Sequence, residues 1–309
     1  MERTQNPAEP ADILVLLSTT TDAIGHRLRS RLGQLRLARP SSLEEVIRDR
    51  LTRRVERRAL GAARAGARTC ADPDPRPLVT VRITTYRRAR LLLERTLPSV
   101  LAQSYDKLEV LVVGDATDDE TEAMLARVRD PRVRFVNLPY RPHYPADPGT
   151  RWRVLGYAAA NLALDLARGS WIAPCDDDDE FTPDHVERLL QAARLHGAEL
   201  VHSNTGLVLG GGVMGVIGRP EIADGHTSHG AVLYATPLRV FRYNGEAWRL
   251  RRSLDWDLLL RMRDAGVRIA HLDAVTYRYH PAAASVDEWR AQLLRKRPDL
   301  AAALSAGNA

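Results

Sequence analysis

Residues 171–189 read WIAPCDDDDEFTPDHVERL, and the fold turns on how that stretch is parsed. The apolar lead-in predicts a strand. Four aspartates, Asp176 to Asp179, follow without a break. Thr182 and Pro183 then open an amphipathic helix, with Thr182 expected as N-cap and Pro183 in the first turn, where a missing N–H is no loss. Adjacent carboxylates repel, so such a run is either a solvated turn or the seat of a cation. In an extended segment alternate side chains point the same way. Asp176 and Asp178 can therefore face one site while Asp177 turns away toward solvent. An acidic run alone favours the solvated turn.

Working upstream, the pattern repeats. LVTVRITTY, 78–86, alternates Val79, Val81 and Ile83, as a strand does. RARLLLERTLPSVLAQSY, 88–105, reads as a helix that Pro98 bends or divides. LEVLVVGD, 108–115, is the continuous apolar run of a buried parallel strand. A helix over 118–130 follows, with Asp118 and Asp119 expected at its cap, and then a strand at RVRFVNLP, 132–139. VLGYAAANLALDLARG, 154–169, is a small-residue helix with Gly169 as its stop. Strands alternating with helices predict an α/β domain with a largely parallel sheet. Ligands of such sheets gather at the carboxyl ends of the strands, where TTY, GDATDD and DDDD all fall. Past residue 200 the text loosens into strand, Gly-rich turn and strand, then a helix and a last strand over 254–279.

Residues 1–76 read as a basic helical extension and linker. Ile24, Leu28, Leu32 and Leu35 recur at helical spacing, as do Leu43, Ile47, Leu51 and Val55, with arginines between them; Ser42 and Glu45 fit a capping box. The expectation is that both helices pack on the main domain and leave their Arg faces in water. A contact with an anionic membrane or an acidic partner is the sharper alternative. Of the net charge of +6, residues 1–77 carry +5, from 15 Arg against 10 acids. No zinc spacing or RNA-binding signature accompanies the charge, so nucleic acid is not expected. Cys70 and Cys175 offer no disulfide framework. No apolar run reaches membrane-spanning length and no leader pattern opens the chain, which predicts a soluble, cytoplasmic protein.

Over residues 77–285 these motifs, in this order, resemble a GT-A fold glycosyltransferase, most similar to the large inverting family 2. The resemblance implies a mixed, largely parallel, Rossmann-like sheet flanked by helices. Residues 77–200 would be the nucleotide-sugar half and 201–285 the acceptor half; a C-terminal helical tail, 286–309, is expected beyond. ITTYRR, 83–88, matches the segment that holds base and ribose, which assigns Thr84, Tyr86 and Arg88 to the donor. In VVGDATDDET, 112–121, Asp115 inherits the contact to the base, and Gly114 stands where the family commonly has a first acid. Asp176 and Asp178 fall on the D-x-D positions that hold Mg²⁺ or Mn²⁺, hard ions suited to carboxylate and phosphate oxygens. Asp177 and Asp179 join the donor side, Asp179 toward the sugar or a metal-bound water. In RRSLDWDLLLRMRDAG, 251–266, Asp255 is the implied catalytic base, Asp257 the fallback, and Trp256 either lines the pocket or joins the core. His280, after the last strand, is implied as a third metal ligand or phosphate contact. His226 and His229 in DGHTSHG flank the expected acceptor cleft, with a chemical role less expected.

The function implied is metal-dependent, inverting transfer of a sugar from a nucleoside-diphosphate donor, by default a UDP-sugar, to an unidentified acceptor. A non-catalytic nucleotide- or carbohydrate-binding module on the same fold is one alternative. A nucleotidyltransferase is another, although the Gly-rich phosphate loop such enzymes place after the first strand is missing.

Overall fold

The computed structural model describes residues 43–69, 74–209, 211–223, 225–282, 288 and 291–292. The expected helix over 24–35, Cys70 and nearly all of the expected tail over 286–309 lie outside them. Nine strands form one sheet in the order β3-β2-β1-β4-β8-β6-β9-β5, with β7 paired to β6. The nucleotide half supplies β1 (Val79–Thr85), β2 (Leu108–Gly114), β3 (Val133–Asn137) and β4 (Trp171–Asp176), all mutually parallel. The second half supplies β6 (Leu200–Leu209), β7 (Gly212–Ile217), β8 (Val232–Ala235) and β9 (Ile269–Tyr279). β8 runs antiparallel to both β4 and β6, and β9 parallel to β6. The short β5 (Glu180–Phe181) closes the sheet against β9.

β1 is central because every second residue can be buried on either face. Val79, Val81 and Ile83 point into a core beneath α2 (Ala89–Leu91), α3 (Leu97–Leu101) and α7 (His185–His196). The opposite face packs on α6 (Tyr157–Leu166) and α8 (Leu254–Asp264). α2 and α3 are joined by a π-turn, Leu92–Thr96, in which the Leu97 amide reaches back to the Leu92 carbonyl. Pro98, which has no amide to give, begins the regular turn that follows.

Three local expectations need correction. α7 begins at His185, not Thr182: the Thr182 hydroxyl donates to Asp184 (2.7 Å), and Gln103 Oε1, from the end of α3, accepts from the Val186 amide (3.1 Å). α6 ends at Leu166, and Gly169 is not its stop. A Cβ on Gly169 would stand 2.6 Å from the Thr80 amide nitrogen, so this glycine lets the chain cross close to β1. Asp118 does not cap α4 (Thr121–Leu125) but pairs with Arg87; Asp119 holds that turn, accepting from the Thr117 and Thr121 hydroxyls.

α1 (Leu43–Thr69) is inverted relative to its sequence pattern. Leu60 enters the core, but Ile47, Leu51 and Val55 are 50%, 59% and 66% exposed. Its contact face is ionic instead. Arg64 makes a bidentate pair with Glu199 (2.8 and 2.5 Å), Arg53 pairs with Asp264, and Glu56 pairs with Arg261. Periodicity identified the helix, but which face it would bury was set by charges outside it, Glu199 just before β6 and Asp264 and Arg261 on α8. No helix among the described residues is long and apolar enough to cross a membrane.

Candidate active site

Strand register brings the polar strand ends together. Thr84 pairs with Asp176 and Thr85 with Gly114, so the ends of β1, β2 and β4 share one edge. β8 runs antiparallel beside β4, and the 3₁₀ turn that precedes it, His229–Ala231, lies against the end of β4. A cleft of about 130 Å³ opens there, with Thr84, Asp176, His229, Tyr243 and Asp255 among its walls.

His229 is the hinge of this cleft. Its Nδ1 lies 3.6 Å from Asp176 Oδ1 and 3.8 Å from Asp255 Oδ1. Its Nε2 meets Arg82 Nη2 and, at 2.9 Å, the Tyr243 hydroxyl. A guanidinium can only donate, so Nε2 accepts and the ring proton sits on Nδ1, facing both carboxylates. Arg82 is 1% exposed in the middle of β1. Burial works against its charge, but Tyr243, Tyr234 and Asp176 together hold the cation above its ordinary value. Burial pushes Asp176 up, yet the His229 Nδ1–H that faces it, with the charges of Arg82 and Arg88, outweighs it and the net shift is downward. Asp255 is pushed up by burial and by Asp176, against the pull of His229 and Arg82.

The acid run is not a strand beyond Asp176 but a turn, and its four carboxylates meet four environments. Arg95 Nη1 donates to the Asp178 carbonyl (2.8 Å) and the Thr96 hydroxyl to the Asp179 carbonyl (2.8 Å). The π-turn thus clamps the loop from behind, a use of π geometry common at functional sites. Asp178 pairs with Arg88. Asp177 does not face solvent as expected: the turn folds it in to 7% exposure beside Arg88 (3.3 Å), and burial raises it to about 7. Asp179 is 1% exposed, and both its oxygens are engaged, by the Tyr277 hydroxyl (2.6 Å) and the His280 amide (2.7 Å). It ties β9 to the loop rather than opening toward a ligand. The His280 ring turns to Glu180 (2.5 Å).

At the corner expected to meet the base, Asp115 and Tyr86 are surrounded by residues the sequence did not flag. Asp115 accepts from the Tyr144 hydroxyl (2.9 and 2.8 Å) and from Arg141 Nε (3.2 Å). Arg141 lies 3.5 Å from the Tyr86 ring centroid. A Cβ on Gly114 would stand 2.3 Å from Asn137 Oδ1. That side chain brackets Thr117, accepting from its amide and donating to its carbonyl, so no acid fits at 114. Asp257 is fully buried between Arg261 (2.8 Å) and Arg252 (3.3 Å), which makes it a structural partner. Trp256 packs, half-buried, on the core, and His226 binds the Glu221 carbonyl away from the cleft.

Two carboxylates on one turn, Asp176 and Asp178, are the hard oxygen donors that Mg²⁺ and Mn²⁺ take. Among the described residues no three or more His, Cys, Asp or Glu converge as a full cage.

Comparison with known proteins agrees with this architecture. The glycosyl transferase family 2 model matches residues 80–146 and 150–213. The family match and the fold together support a GT-A, family 2-like glycosyltransferase domain. The succinoglycan biosynthesis protein ExoO of Rhizobium meliloti is 35% identical over 135 residues, which are 44% of this chain and 35% of that protein. The match thus spans about a third of that relative. Among solved structures, S. aureus TarS in complex with UDP superposes with a TM-score of 0.51 at 18% identity, over 72% of this chain and 65% of TarS. The mannosyltransferase PcManGT of Pyrobaculum calidifontis, in complex with GDP-Man and Mn²⁺, gives 0.51 at 20% identity, over 78% and 72%. At those identities the likeness concerns the fold.

Proposed function

We propose that this glycosyltransferase domain is an active, inverting enzyme that moves a sugar from a nucleoside-diphosphate donor, by default a UDP-sugar, to a hydroxyl acceptor. The observation that carries the reading is the convergence of Asp176 and Asp255 on one imidazole inside a cleft of a family 2 domain. In the reaction the acceptor oxygen bonds to the anomeric carbon as the bond from that carbon to the diphosphate breaks. The nucleoside diphosphate leaves with the electron pair, and Asp255 takes the acceptor's proton. A carboxylate whose affinity for protons is raised by burial suits that task. Asp176 and Asp178 would hold a divalent ion, which supplies charge neutralisation to the departing diphosphate. Arg88, beside Asp177 and Asp178, adds a cation on the same edge. Thr84 and Tyr86 take ribose and base, with Asp115 reaching the base through the Arg141–Tyr144 corner. His280 and Asp179 hold the frame of the acid loop. A cleft of about 130 Å³ is below the roughly 300–1,000 Å³ of a typical ligand pocket, so it takes the reacting end of the substrates only.

The test is a thermal-shift screen of UDP- and GDP-sugars with and without Mn²⁺, followed by product analysis. A donor that raises the melting temperature only with the ion, and a released nucleoside diphosphate, are expected. Release of pyrophosphate instead would make the protein a nucleotidyltransferase. Donor binding with neither hydrolysis nor transfer would make it a binding module.

A further inference from the structure

The outward face of α1 is unlike the rest of the surface. Ile47, Leu51 and Val55, four residues apart, form an exposed apolar stripe along one side of the helix. Arg48, Arg50, Arg54, Arg57 and Arg58 are exposed on and beside that stripe, against one exposed acid, Glu44. The opposite face is already committed through Glu56, Leu60 and Arg64. Three isolated apolar residues on a surface mean little; in register among five arginines on one helix they describe a helix that lies in an anionic interface.

We propose that α1 is a docking surface for an anionic lipid bilayer, with Ile47, Leu51 and Val55 entering the headgroup boundary and the arginines meeting lipid phosphates. Charge selects this occupant over two others. Residues 24–42, the nearest chain segment able to cover the stripe, hold five arginines and no acid. A second copy of α1 would bring the same five arginines. Either would set like charges face to face, whereas a bilayer of anionic lipid supplies the missing sign at about fivefold in partitioning per arginine. Docking here also has a geometric consequence for the reaction cleft. A cavity of about 370 Å³ separates α1 from the 242–250 loop, and Tyr243 is a wall of both that cavity and the cleft. The reactive edge therefore lies one side chain from a cavity that the docked helix itself lines.

The test is flotation of the full chain with phosphatidylcholine vesicles, alone or carrying about a third phosphatidylglycerol. Binding to the anionic vesicles only, weakened by high salt, is expected. Replacing Arg50, Arg54 and Arg58 together by Ala should lower partitioning about a hundredfold. Leu51→Gln should lower it about tenfold. Neither change touches the ionic contact face, so the melting temperature should hold. As a charge-matched control, Arg127→Ala, Arg129→Ala and Arg168→Ala remove three exposed arginines elsewhere and should leave binding intact. No binding to anionic vesicles overturns the proposal. So does binding that falls equally with the control set, which would be a general charge effect, or binding indifferent to Leu51. Concentration-dependent dimerisation lost with Leu51→Gln, without vesicle binding, would assign the stripe to a second copy instead. Because flotation needs no donor and no turnover, its outcome is independent of the transferase reading.

Discussion

Asp255 and Asp257 are two residues apart on α8, and their surroundings could hardly differ more. Asp257 is fully buried; with Glu56 it faces Arg261, and with Asp49 it faces Arg252, so each acid has a guanidinium and each guanidinium two acids. Asp255 shares a single imidazole with Asp176, and the two side chains are 34% and 44% exposed. Matched, buried charge is a fastener. Charge that is undermatched and open to a cleft is what chemistry requires, because it still has something to bind.

Substitutions can break that contrast from either side. The largest effect is expected from Asp255→Asn, which should cut turnover by about 10²–10⁴ while leaving donor-induced thermal shift in place. A wild-type rate would remove Asp255 from the mechanism. Arg261→Met strands Glu56 without its cation and leaves Asp257 with Arg252 alone. It should cost about 3–5 kcal/mol in urea unfolding, with kcat per folded molecule preserved. A loss of turnover without loss of stability would show that the two ends of α8 are not separable.

Two other imidazoles sharpen the comparison, because they are buried and hydrogen-bonded to a hydroxyl or a carbonyl rather than facing two carboxylates. Burial holds His185 down to about 3 and His202 down to about 4, from an ordinary value of 6.5. Folded rings stay neutral while unfolded ones protonate, so the unfolded chain takes up more protons as pH falls below 6.5. Stability should therefore drop on acidification by about 1.4 kcal/mol per pH unit for each histidine, until the folded values are reached. Urea midpoints measured across that window should lose part of their slope in His185→Gln. The smallest effect is expected at His229. Removing its Nδ1–H in His229→Ala should lower kcat about tenfold with KM for donor little changed. His229→Asn, which returns an N–H near that position, should recover part of it; equal losses in both variants would reduce His229 to packing.

What was legible in the sequence follows what is local. The alternation in β1, the apolar run of β2 and the acid run before α7 each carry their reading within ten residues, and these strands do join one largely parallel sheet as expected. His229 was named only as a flanking residue, because what matters about it is that β8 lies antiparallel to β4, a pairing across more than fifty residues. Arg82 was not singled out at all; its burial depends on Tyr243 and His229 arriving from the other half. The direction of α1 was misread for a related reason. Its apolar period is real, but Asp264, Glu199 and Arg261 competed for the contact face, and no pattern internal to residues 43–69 contains them.

The π-turn at Leu92–Thr96 leaves a constraint of its own. It amounts to one residue more than an α-helix would need over the same rise. Excising that residue, for instance Leu93, would wind everything before it by about 100° about the axis. Arg88 would then leave the acid loop while Arg95 and Thr96 stayed. The length of this helix is thus under as much restraint as its composition, and natural variants of the domain should tolerate substitutions here far better than deletions.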